Sequence, residues 1–135
     1  MKRFHHLGFV SSSLESALAF LPRNSGNAVE VLEDHDQQNL IAIFSGSGTV
    51  DWFEVIVPLG PKSTVANHLN RNGPGLHHLA FEFPSIRLGL DYFVASHSVL
   101  LGGYQLEVAS FGGWIETKFL SNKGVLIEIV ARTHE

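Results

Sequence analysis

No cysteine occurs in the 135 residues, which excludes disulfides, thiolate metal ligands and a cysteine nucleophile. Charge is scarce too: Asp, Glu, Lys and Arg make up 16% of the chain, and the formal net charge is −4. Such a chain has no basic face to offer nucleic acid or anionic lipid. No run approaches the roughly 20 apolar residues of a membrane-spanning helix. A strand-like pattern that begins by Phe4 leaves no room for a signal peptide. The expectation is a soluble, cytoplasmic protein with neither nucleic acid nor membrane as partner. What is present is 44% hydrophobic residues, enough for one core, and eight histidines, a high count for this length.

The histidines show a repeat. Phe4-His5-His6-Leu7-Gly8-Phe9 is matched 72 positions later by Leu76-His77-His78-Leu79-Ala80-Phe81. The match continues, with Ser13 on Ser85, Leu14 on Ile86, Leu18 on Leu90 and Phe20 on Tyr92. A period this long repeats whole supersecondary units. The first copy reads as a strand over 3–10 and then a helix. Ser12 and Glu15 have capping-box spacing, Leu14, Ala17, Leu18 and Leu21 form an apolar stripe, and Pro22 ends the helix. A turn at 23–27 and strands at 28–33, 39–44 and 50–57 follow. In the linker, Ser63 caps a short helix bearing Val65, Ala66 and Leu69, which Asn72-Gly73-Pro74-Gly75 ends. The second copy gives a strand at 76–83, then a helix from Pro84-Ser85 with Ile86, Leu90, Phe93 and Val94 as its stripe. Strands near 99–108, 114–120 and 124–131 complete it, with Phe111-Gly112-Gly113 as a break. Neither copy closes a core alone. The expected fold is α+β: one domain over 1–135, with two tandem βαβββ modules at roughly 1–58 and 76–135 joined by a short helical linker. They should form a cupped, partly closed mixed sheet with helices on the outside.

Strand alternation then sorts the side chains. Leu79, Phe81 and Phe83 form the face for the helix, so His78 and Ala80 face inward; likewise His6 and Gly8 face inward, opposite Leu7 and Phe9. His5 and His77 fall on the helix side. The last strand of each copy carries one acid in an apolar run, Glu54 and Glu128, 74 positions apart and so at matched places in the repeat. A lone buried carboxylate is costly unless it is paired or coordinated. His6, Glu54, His78 and Glu128 therefore make a candidate site for one divalent metal ion: zinc, nickel, cobalt, manganese or ferrous iron. Among the remaining acids, Glu82 reads as solvated near its strand end and Glu116 as a surface residue. Trp52, Trp114, Phe44 and Phe111 read as core, or as lining of a small-molecule cavity.

At these residues the sequence resembles the vicinal oxygen chelate superfamily, the glyoxalase, epimerase and dioxygenase group. FHHLGFVSSSLESALAFL is similar to its opening strand and helix, GPGLHHLAFEFPSI to its second-module opening and GVLIEIVA to its closing strand. Methylmalonyl-CoA epimerase-like members are the nearest match, through FEVIVPLGPKSTVANHLNRNGPGLHHLAFE. The resemblance implies metal ligands at His6, Glu54, His78 and Glu128. It implies proton transfer by a metal-bound glutamate, Glu128, or Glu54 by pseudo-symmetry. It also implies a homodimer and a small-molecule substrate. Two features depart from the epimerases. Asn39–Phe44 lacks the acid they carry on a middle strand, and Ser121-Asn122-Lys123 replaces their His-Pro-Lys.

The expected function is that of a metal-dependent isomerase or lyase acting on a small carbonyl compound or acyl thioester through an enolate-like intermediate. The alternative is a non-catalytic protein that sequesters small molecules. An extradiol dioxygenase ranks lower, because the fourth ligand at Glu54 is intact.

Overall fold

The computed structural model describes residues 3–22, 25–94 and 98–133. Residues 23 and 24 of the expected turn, and the side chain of Val94, lie outside the described set. The elements follow the expected order. β1 (Arg3–Val10), α1 (Leu14–Ala17), β2 (Glu30–Asp34), β3 (Asn39–Ser45) and β4 (Trp52–Pro58) come first. α2 (Ala66–Asn72) follows, then β5 (Gly75–Glu82), α3 (Ile86–Val94), β6 (Val99–Gly102), β7 (Gln105–Val108), β8 (Gly113–Asn122) and β9 (Val125–Arg132). The first half reads βαβββ and the second repeats it with one strand more, because the strand expected over 99–108 is two strands, in an α+β fold. No helix among the described residues is long and apolar enough to cross a membrane. By their contacts the residues divide into two compact units, Leu7–His77 and Met1–His6 with His78–Glu135.

In the Leu7–His77 unit the strand order is β2-β3-β4-β1. β3 runs antiparallel to both neighbours, pairing Ile43 with Glu30 on one side and with Glu54 on the other. Val10, Ile56, Val65 and Leu69 pack together beside this sheet, seating α2. The N-cap of α2 is Val65, with no side-chain cap bond, so Ser63 is not the cap expected of it. Ser63 Oγ instead accepts from Val65 N–H (3.1 Å) and donates to Asn39 Oδ1, tying the turn before α2 to β3. Gly73, at φ 75°, closes the helix in a conformation that costs glycine little. α1 differs from its pattern. The cap is Ser13, whose Oγ accepts from Ser16 N–H, and regular helix ends at Ala17. The chain then tightens, with Leu18, Ala19 and Phe20 each bonding back three residues. Three residues per turn rotate Leu18 away from the stripe, and it is 57% exposed.

In the other unit the order is β1-β5-β9-β8-β6, with β7 also on β8. β5 and β9 are parallel, while β8 is antiparallel to β9, β7 and β6, so the sheet is mixed as expected. Ile127 and Ile129 of β9 face α3 and join Phe83, Phe93 and Leu120, with Ile86 and Leu90 packed against them. The strand expected over 99–108 is broken in two. A Cβ at Gly103 would lie 1.9 Å from the Thr117 carbonyl oxygen, and Thr117 N–H donates to Tyr104 O at 2.9 Å. The chain crosses β8 there with no room for a side chain. Gly103→Ala should therefore cost about 2–4 kcal/mol in urea unfolding, and a neutral result would show that the crossing is not tight.

Candidate metal centre

The register of β5, β9 and β8 builds the site. Glu128 sits beside Ala80 on β5 and Phe119 on β8. It points away from Ile127 and Ile129, which face α3. His78 lies two residues before Ala80, hence on the same face as Glu128. β1 supplies His6. All three side chains are essentially excluded from solvent. Nε2 of His6 and Nε2 of His78 are 3.0 Å apart, and Glu128 Oε1 lies 2.9 Å from the first and 3.2 Å from the second. Among the described residues Oε1 has no aligned hydrogen-bond partner, despite these short approaches. Three lone-pair atoms thus converge on one point.

These edges can be compared with known coordination shells. Adjacent ligands of an octahedral ion with bonds of about 2.1 Å stand about 3.0 Å apart, whereas tetrahedral ligands stand about 3.4 Å apart. The triangle fits one face of an octahedron better. Two imidazoles and one carboxylate are also a donor set that suits borderline divalent metals. His6, His78 and Glu128 form the cluster of potential metal ligands found among the described residues. Burial by itself would raise the Glu128 pKa. The His6 and His78 imidazoles more than reverse this, holding the carboxyl well below its usual range.

The surroundings fix each of the three side chains. Phe111 lies flat on His6, with ring centres 5.5 Å apart, and Phe119 meets His78 edge-on at 5.6 Å. The Tyr104 hydroxyl donates to Glu128 Oε2 at 3.3 Å, leaving Oε1 to the histidines. Sequence pattern missed Tyr104; the Gly102-Gly103 pair before it was the signal available.

His5 requires a correction. It was expected on the helix side, but its Nδ1 is 2.8 Å from Nδ1 of His6, and it is as buried as its neighbour. Consecutive strand residues with side chains in contact share a side, so the alternation of β1 slips by one between them. Arg3 follows the same phase as His5 and reaches Glu82, while Phe4 stacks on Phe81. Glu82 is not simply solvated: Arg132 Nε is 3.2 Å away and Arg3 Nε 3.9 Å. Glu116 is half-buried, between Gln105 and Ala131 on the neighbouring strands. In the Leu7–His77 unit, Glu54 is buried in mid-strand on β4, and His77 packs edge-on against His68 of α2. Phe44 is core there, whereas Trp114 is 46% exposed.

Burial, and after it the charge of His6, lowers the His5 pKa from 6.5 to about 3. The unfolded chain therefore binds a proton that the folded one refuses. The stability this contributes is fully present above about pH 6.5 and is lost as pH falls toward 3, at up to about 1.4 kcal/mol per pH unit. Glu128 acts with the same sign, but only below its ordinary value of 4.5. Urea unfolding of metal-free protein should show a lower midpoint at pH 5 than at pH 7. Equal midpoints would mean that His5 titrates as an ordinary histidine.

No family model matches the chain. An uncharacterised protein of Bacillus subtilis (strain 168), YqjC, is 35% identical over 129 residues, spanning 96% of this chain and 91% of that protein. Among solved structures, a hypothetical protein from Bacillus halodurans C-125, BH1468, superposes with a TM-score of 0.78 at 21% identity, covering 99% of this chain and 96% of that one. Methylmalonyl-CoA epimerase in complex with methylmalonyl-CoA and NH4+ superposes with a TM-score of 0.76 at 21% identity, covering 98% and 96%. The chain belongs to the same family as YqjC. At 21% identity the two structural likenesses show the fold alone, which this chain shares with that epimerase.

Proposed function

We propose that this protein is a member of the vicinal oxygen chelate superfamily and a metal-dependent isomerase or lyase that acts on an acyl thioester or other small carbonyl compound by moving an α-proton. The observation that carries the reading is the triangle of His6 Nε2, His78 Nε2 and Glu128 Oε1, buried and with edges of 2.9–3.2 Å. A divalent ion held there would supply Lewis-acid polarisation of a substrate carbonyl. Glu128 is the base in this reading. Its Oε1 is turned toward the imidazoles, and Oε2, which accepts from Tyr104, takes the α-proton and returns it. Glu54, the buried acid of β4, is the second candidate for ligand and base. An acyl thioester is favoured because the structural neighbours include an epimerase bound to methylmalonyl-CoA. β3 carries no acid, so the reading rests on fewer carboxylates than the epimerases use. The partners proposed are a small-molecule substrate and a second copy of the chain, in the cytoplasm.

Solvent exchange tests this. Metal-loaded protein incubated with methylmalonyl-CoA and related 2-substituted acyl thioesters in deuterium oxide should add one mass unit to at least one substrate, and Glu128→Gln should abolish the gain. No exchange across acyl thioesters and α-hydroxy ketones would sink the reading. A dioxygenase reading has one observation in its favour, since two histidines and one glutamate are also the facial donor set of ferrous oxygenases. Oxygen uptake with catechols by the iron-loaded protein would favour it.

A further inference from the structure

We propose that His5 is a positioning residue for the metal site, acting as the neutral hydrogen-bond acceptor that fixes the tautomer and orientation of His6. The inference rests on the metal reading above and goes beyond it by assigning the partner of a ligand's second nitrogen.

His6 can offer a lone pair at Nε2 only if its proton sits on Nδ1. A proton there needs an acceptor, because the ring is sealed from solvent. The group facing His6 Nδ1 is His5 Nδ1, 2.8 Å away. Two nitrogens at that distance share one proton, so when His6 donates, His5 must present a bare Nδ1 and carry its own proton on Nε2. Metal-binding histidines usually give their second N–H to a carboxylate, a backbone carbonyl or water; here a second imidazole takes that place.

Both rings are held for the task. Phe111 meets the His5 ring edge-on at 4.5 Å, with 79° between planes, while lying nearly parallel to His6 at 5.5 Å and 14°. The slip in β1 alternation has its use here: without it the two histidines would point to opposite faces of the strand and could not touch. An uncharged acceptor also adds less electron density to the ligand than a carboxylate would. An ion in the site therefore keeps more of its Lewis acidity.

Zinc binding measured by competition with a chromophoric chelator tests the proposal without reference to activity. His5→Phe keeps the ring's bulk and removes the acceptor, and should weaken zinc binding about 10–100-fold. His5→Asn places an amide oxygen near the position of Nδ1 and should bind within about threefold of wild type. Nitrogen-15 NMR of the zinc-loaded wild type should show His6 protonated at Nδ1 and His5 bare at Nδ1. That measurement decides the matter even if His5→Phe fails to fold. Wild-type affinity in His5→Phe, equal losses in both variants, or a proton on His5 Nδ1 would overturn the positioning role while leaving the metal reading intact. A wild type that binds no zinc would take down both.

Discussion

Glu128→Gln should abolish stoichiometric metal binding, with divalent-ion affinity falling at least about a hundredfold. The lower bound comes from the rule that removing a group one step outside a metal's ligands costs 10–100-fold, and Glu128 lies inside that step. Glutamine fills nearly the same volume and can keep the contact with Tyr104, so the variant should fold. What it loses is the negative charge, which neither histidine of the trio can supply. Isothermal titration with zinc or cobalt checks the affinity, and circular dichroism checks the fold. Unchanged affinity in a folded variant would remove Glu128 from the site.

The second large effect concerns stability. Ile129 is fully buried on β9, one residue from Glu128, and packs under α3 where Gly89 brings the helix close. A Cβ on Gly89 would stand 2.5 Å from Ile129 Cγ2, so the two positions are fitted to each other. Ile129→Ala leaves a cavity that neither a sheet interior nor a glycine-tight helix can close, and should cost about 2–5 kcal/mol. That corresponds to a fall in Tm on the order of 10 °C. Leu18→Ala is the control. The sequence stripe makes Leu18 a core residue, but its exposure in the folded chain predicts a change within about 0.5 kcal/mol. Similar losses at both positions would mean that the packing described around α1 is wrong.

β5 and Leu18 also show what sequence reading captures. The strand pattern of β5 placed Phe81 and Phe83 on the helix face correctly, with His78 on the other, because a two-residue period holds wherever a strand is regular. The 72-residue repeat brought out His6 and His78 for the same reason, and the two come together in space. Leu18 failed because a helix pattern assumes 3.6 residues per turn, and the chain tightens after Ala17. His5 failed because a slip in alternation depends on the neighbouring strand, which local sequence does not encode. Glu82 was misjudged because its cations, Arg3 and Arg132, come from far away in the chain. Tyr104 was invisible because its place depends on Gly103 passing against the Thr117 carbonyl, a contact no spacing rule anticipates. Of these, His5 and Tyr104 touch the candidate ligands His6 and Glu128 without being candidate ligands themselves. Partner groups are set by packing, whereas the candidate ligands were marked by the repeat.

Native mass spectrometry of the purified protein, with and without chelator, tests the central claim most directly. The account predicts one divalent ion per chain at near-neutral pH, lost to chelator and absent from His78→Ala and Glu128→Gln, but retained by His77→Ala. A chain that carries no stoichiometric ion even after reconstitution, or a His77→Ala variant that loses it as fully as His78→Ala, would contradict it.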